Sequence, residues 1–176
     1  MIFRDAGIRS WFDWELIQSP SYSVVEKFSR SVIDVSRLET VWYIRPDDSL
    51  GDWRNQGDRR LSVKDAATRQ AFPNKDSEGY IQKLISDMYA CGTLPYVILP
   101  CYRTLHGKFI ILDGNHRAIA AFRSEMNVRL LIFAVSGPDD PLLLPDLLHE
   151  MSSETSAELW AQYRTEIERK FTRKLA

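Results

Sequence analysis

The stretch GKFIILDGNHRAIAAF, residues 107–122, constrains the fold more than any other part of the chain. Lys108-Phe109-Ile110-Ile111-Leu112 is a short, continuous apolar run of the kind that forms a buried strand. It stops at Asp113-Gly114-Asn115-His116-Arg117 and opens directly into an Ala-rich helical segment, Ala118 to Met126. The chain must therefore combine sheet with helix.

The flanking residues extend the pattern. Tyr80 to Tyr89 reads as a helix that Gly92 ends as a C-cap would. Pro95-Tyr96-Val97-Ile98-Leu99 reads as a strand, and His106-Gly107 supplies a turn into the Lys108–Leu112 strand. Val128 to Val135 is a further strand. The order is helix, hairpin, turn, helix, strand. The expected fold class is α+β: a small mixed sheet with flanking helices and extra helices at both termini. The hairpin Pro95–Leu112 and the strand Val128–Val135 are expected to share that sheet.

Three zones are expected. Residues 1–38 read as an N-terminal helical extension broken at Ser19-Pro20, with Trp11, Phe12, Trp14, Leu16 and Ile17 in one segment. Val24, Val25, Phe28, Val32 and Ile33 recur at helical spacing in the next, with Pro20 in its first turn. Residues 39–135 form the central domain. It begins with a strand, Thr40 to Ile44, followed by a long polar segment in which Ser62 caps a short helix over 63–70. Residues 136–176 form a linker broken by Pro138, Pro141 and Pro145. A last helix follows from Ser153 to Lys174, with Trp160, Tyr163, Ile167 and Phe171 on one stripe.

Composition bounds the partners. Lys+Arg is 23 against 24 Asp+Glu, a net charge of −1, which argues against bulk adhesion to DNA or anionic lipid. The longest apolar run is too short to span a bilayer. The opening MIFRDAGIRSWFDWEL is charged from residue 4 and has no signal-peptide core, so a cytoplasmic location is expected. Cys91 and Cys101 form no CxxC, and His106, His116 and His149 have no zinc-site spacing.

The chemistry concentrates at residues 113–117. A glycine permits a tight turn and close approach of a ligand to the backbone. The start of the following helix offers unpaired N–H groups and the positive end of a dipole. Arg117 adds a fork that fits phosphate oxygens, and His116 adds a donor or a proton carrier near neutral pH. Together these meet the needs of an anion site. The plainer alternative is a strand-to-helix corner in which Asp113 or Asn115 caps the helix and Arg117 sits at the surface. Arg54, Arg59 and Arg60 read as a solvated loop, and Asp139-Asp140 as a turn between prolines.

The segments GTLPYVILP, GKFIILDGNHRAIAAF and NVRLLIFAV, in this order, resemble the ParB N-terminal/sulfiredoxin-like superfamily. The resemblance covers about residues 40–135, and the motif is similar to the DGHHR motif of free serine kinases. It implies that Asp113, Gly114, Asn115, His116 and Arg117 hold nucleotide phosphates, with ATP, ADP or another nucleotide as ligand and Mg²⁺ alongside. Where sulfiredoxins carry their catalytic cysteine this chain has Asn115, so sulfinic-acid reduction is not expected.

The resemblance also carries Asp48 (or Asp47), in IRPDDSL, onto the position of a catalytic base, with His116 as the second catalytic residue. It carries Lys83, on the helix before the hairpin, onto the nucleotide. Two functions follow from it. One is a nucleotide-dependent phosphotransferase or nucleotidase with a small-molecule or protein acceptor. The other is a non-catalytic nucleotide-sensing or DNA-associated regulatory module. Direct DNA reading is not expected, and a homodimer would form through the terminal helices.

Overall fold

A computed structural model describes residues 11–69, 77–151 and 155–175. It shows an α+β fold, with seven strands in one mixed sheet among the described residues. The strands are β1 (Ser23–Ser29), β2 (Glu39–Ile44), β3 (Leu50–Gly51), β4 (Arg59–Ser62), β5 (Tyr96–Arg103), β6 (Phe109–Ile111) and β7 (Arg129–Ser136). The helices are α1 (Val32–Ser36), α2 (Val63–Arg69), α3 (Ser77–Ala90), α4 (Asn115–Arg123) and α5 (Ala157–Leu175). Short 3-10 turns occupy Leu16–Gln18 and Pro145–Glu150.

The sheet order is β1-β7-β5-β6-β2-β3, and β4 also pairs with β2. The expected hairpin is present, with β5 antiparallel to β6 and Cys101 opposite Ile111. Strand β7 lies parallel to β5 over eight residue pairs, from Tyr96↔Arg129 to Arg103↔Ser136. Strand β2 runs parallel to β6, with Glu39 opposite Ile110.

Successive strand residues face opposite sides of a sheet, and each side here has its own core. Cys101, Ile111 and Ala134 lie under the helices with Ile81, Ile119 and Ala121. Their neighbours Tyr102, Ile110 and Val135 pack on the other face against Phe12, Leu143, Leu144 and Leu147. Ala118, Ala120 and Ala121 are fully buried, and their small side chains let α4 lie close against the sheet. Arg123 then ties three helices together. It donates to both Glu78 oxygens of α3 at 2.8 Å and to the Ala67 carbonyl of α2 at 2.7 Å.

The N-terminal zone corrects the reading of residues 1–38 as helical. Residues 1–10 lie outside the described residues. Trp11 to Ile17 pack onto the domain as expected, but with only the short 3-10 turn. Residues 23–29 are an edge strand antiparallel to β7, with Phe28 opposite Leu131, so Pro20 opens no helix. The zone therefore completes the central sheet. Only Val32–Ser36 is α-helical there, capped by Ser31, whose hydroxyl accepts the Ile33 N–H at 3.2 Å.

The polar segment after β2 contains β3 and β4 as well as α2. The Ser62 hydroxyl accepts the Asp65 N–H at 3.1 Å, as expected of the cap. Arg60 departs from the solvated-loop reading, since only 4% of its side chain is exposed. It donates to the Tyr43 hydroxyl at 3.0 Å, to Glu150 at 3.1 Å and to the Asp146 carbonyl. Tyr43 in turn donates to Asp146 at 2.9 Å.

At the C-terminal end, Ser153 lies outside the described residues. Helix α5 instead begins near Ser156, whose hydroxyl accepts the Leu159 N–H at 3.2 Å. Trp160, Ile167 and Phe171 are buried as the stripe requires. No helix among the described residues is long and apolar enough to cross a membrane.

Candidate functional site: a cleft at the start of helix α4

Residues 113–117 form one wall of a cleft of about 420 Å³. Val41 and Trp42 of β2 and Tyr80 of α3 complete the lining. The structure thus brings together Asp113, Gly114, Asn115, His116 and Arg117. It adds three residues that sequence reasoning left out of the site.

Gly114 shapes the corner. Its φ is +89°, a left-handed conformation that side-chain-bearing residues rarely adopt. A Cβ there would lie 2.8 Å from both Arg117 Nη2 and Leu99 Cδ2. The glycine therefore satisfies a turn and a close approach together. It is also the N-cap of α4, and no side chain caps the helix. The first intrahelical bond runs from the Ala118 N–H to the Gly114 carbonyl at 2.9 Å. The earlier first-turn N–H groups point out of the helix end, where the dipole is positive.

The capping alternative does not hold for Asp113 or Asn115. The Asp113 Oδ1 accepts the neighbouring Gly114 N–H at 2.7 Å, and its Oδ2 accepts from Arg117 Nη2 at 3.0 Å. Asn115 turns away from its own helix, and its Oδ1 accepts the Val41 N–H of β2 at 3.2 Å. Arg117 is partly exposed, and Asp113 engages one of its guanidinium nitrogens. A guanidinium carries five N–H donors, so the fork retains donors for an oxyanion while Asp113 fixes its position.

His116 is half-buried. Its Nε2 lies 2.9 Å from the Ser77 hydroxyl at the start of α3. The rings of Trp42 and Tyr80 meet the imidazole edge-on, with centroids at 5.4 and 5.6 Å. Burial lowers the His116 pKa below the ordinary histidine value and so favours the neutral ring. A neutral imidazole next to a helix start avoids repulsion from the dipole. Held between two aromatic rings and a hydroxyl, it is fixed in orientation at the mouth of the cleft.

Asp48 and Lys83 do not join this group. Strand β2 brings Val41 and Trp42 to the cleft, then runs on through Ile44 into the turn to β3, and Asp48 is carried past. The Asp48 side chain is 70% exposed and its carboxylate is 2.7 Å from Arg69 Nη1. Asp47 does the capping in that turn, accepting from the Ser49 N–H at 3.0 Å and the Ser49 hydroxyl at 2.6 Å. Lys83 is exposed on α3, beyond Tyr80, and is not part of the cleft lining.

Val41, Trp42 and Tyr80, and Ser77 against His116, were missed because the sheet and the helix pair bring them in from distant parts of the chain. The alternation of β2 could have flagged Trp42, but only with the knowledge that β2 lies beside β6. The cysteines stay apart from the cleft: Cys91 is exposed, and Cys101 is buried, which pushes its thiol pKa up.

Two other hollows lack this convergence. A mixed-charge depression of about 390 Å³ includes Glu39, Lys108, Arg60 and Glu150, and its charges largely pair with one another. An open hollow of about 600 Å³ lies on the outer side of α5, between residues 158 and 169. Among the described residues no group of three or more His, Cys, Asp or Glu side chains could hold a metal ion. Compared with protein-family models, with curated proteins and with solved structures, the chain matches none.

Proposed function

We propose that this chain is a nucleotide-binding protein of the ParB/sulfiredoxin-like kind, holding phosphate groups at residues 113–117. One observation carries the reading. An uncapped helix start, a left-handed glycine and a partly exposed arginine fork converge on one cleft beside a fixed imidazole. The N–H groups of the first turn of α4 and the Arg117 guanidinium would receive the phosphate oxygens. Trp42 and Tyr80 supply apolar surface for the remainder of the ligand. ATP or ADP is the expected ligand class, and Mg²⁺ would be held mainly by phosphate oxygens and water.

The geometry favours binding over phosphoryl transfer by the route the resemblance implies. Asp48 stands outside the cleft and is paired with Arg69. Asp113 is engaged by Arg117 and by the Gly114 N–H. A nucleotide-sensing module is therefore the leading reading. Phosphoryl transfer or hydrolysis is the second, and it is favoured by His116, whose burial favours the neutral imidazole, the form that accepts a proton.

Calorimetric titration with ATP and ADP in the presence of Mg²⁺, followed by a phosphate-release assay, separates the two. Saturable one-site binding without turnover supports the sensing module. Turnover that His116→Gln abolishes supports the second reading. No binding by either nucleotide at millimolar concentration removes both.

A further inference from the structure

Strand β1 is the last strand on its side of the sheet, and its outward edge carries no backbone pairing among the described residues. Long unprotected edges template further strand pairing. The outer face of β1 is also unusually apolar for a surface: Val24 is 57% exposed and Phe28 is 55% exposed. The register Phe28↔Leu131↔Ile98 continues this apolar row across β7 and β5, and Ile98 is itself exposed.

The charges around Phe28 are arranged symmetrically. Glu26 precedes it by two residues on the same face, and Arg30 follows it by two. The Arg30 guanidinium lies 5.9 Å from the Phe28 ring centroid, which places it on that face. On the opposite face, Lys27 is turned toward Asp34 at 3.8 Å.

We propose that β1 pairs antiparallel with β1 of a second copy of this chain, about a two-fold axis through Phe28. In an antiparallel pair directly opposite residues share a face, so only registers that keep the apolar faces together are allowed. Centring on Phe28 sets Phe28 against Phe28 of the second copy. It also sets each Glu26 against the other copy's Arg30, giving two ion pairs that flank an aromatic contact. The apolar row then runs unbroken through both sheets. Centring on Glu26 instead opposes two carboxylates, and a self-complementary isologous interface selects against that register. None of the β1 residues is part of the lining of the cleft at α4.

Light scattering after size exclusion and sedimentation equilibrium test this on the full chain. The expected result is a concentration-dependent species of twice the 20.4 kDa chain mass. Glu26→Arg and Arg30→Glu should each weaken dimerisation about tenfold or more, because each opposes like charges twice. The double variant Glu26→Arg/Arg30→Glu should restore it to within roughly threefold. Phe28→Lys should give a monomer with an unchanged circular-dichroism spectrum. A wild type that stays monomeric at about 1 mM, where a millimolar association would already be visible, overturns the proposal. A dimer insensitive to these variants, or one that the double variant fails to restore, overturns it as well.

Discussion

The Asn115 side-chain oxygen accepts the Val41 backbone N–H at 3.2 Å, joining the first residue of α4 to a strand residue 74 positions earlier. This bond has two consequences. It draws β2, and Trp42 with it, to the mouth of the cleft. It also turns the Asn115 side chain away from its own helix, whose N-cap position is Gly114 and carries no side-chain cap. Asn115→Ala should therefore loosen the wall of the cleft formed by β2. A change in Trp42 fluorescence with little change in overall helicity would report it; an unaltered emission spectrum would count against this role.

Gly114→Ala should be disproportionately costly. The substitution meets both a left-handed φ and contacts at 2.8 Å to Arg117 and Leu99. Strained backbone of this kind costs about 1–3 kcal/mol, which for a chain of this size lowers Tm by roughly 2–12 °C. Gly57→Ala is the control, since nothing lies within 4 Å of the Cβ it would add. Equal Tm values for the two variants would contradict the account of the turn.

Arg60→Ala should destabilise more than a surface arginine would. It leaves Glu150, with 3% of its side chain exposed, paired among the described residues with Lys108 alone, and removes a donor from Tyr43 and Asp146. Breaking a buried pair from one side costs about 3–5 kcal/mol. Denaturant titration reads this directly, and a loss below about 1 kcal/mol would show the network to be dispensable.

Asp48→Asn should do very little. The carboxylate is mostly exposed, and its ion pair with Arg69 is of the surface type, so the stability change should stay within about 0.5 kcal/mol. Nucleotide affinity should not change. A large loss of turnover in this variant would instead return Asp48 to the site.

Much of the central unit is legible in local pattern. The hairpin, the glycine corner, α4 and β7 are each visible in a contiguous run, and one wall of the cleft is five consecutive residues. Strand β1 is not legible, because Val24, Val25 and Phe28 fit helical spacing as well as alternation. Its apolar residues Val24 and Phe28 lie on the exposed face, so the usual contrast between buried and solvated sides is missing. Strand β4, RRLS, looks like solvated loop because Arg60 is buried by Asp146 and Glu150, acids some 90 residues away. Asp48 follows a strand that was correctly expected, but the sequence does not say how far that strand runs past its neighbour.

Burial lowers the pKa of both His116 and His149. The unfolded chain therefore takes up protons first as pH falls below about 6.5. The stability these neutral rings contribute is complete above that value and is lost as pH drops through the lower folded values. Binding should move the other way, since protonated His116 adds a positive charge beside the anion site. Sulfate, whose charge is constant over this range, should bind more tightly at pH 5.5 than at pH 8 in the wild type and show a flat profile in His116→Gln. The same slope in both proteins would remove His116 from the anion site.

The central claim is that phosphate groups bind where α4 begins, and Arg117→Ala tests it most directly. Calorimetric titration of ATP and Mg²⁺ into wild type and variant, both verified as folded by circular dichroism, should show one site in the wild type. The variant should lose about 1.5–3 kcal/mol, the scale of a hydrogen bond to a charged group, or roughly 10- to 150-fold in affinity. Equal affinity in the two folded proteins, or no binding by the wild type, would contradict the assignment.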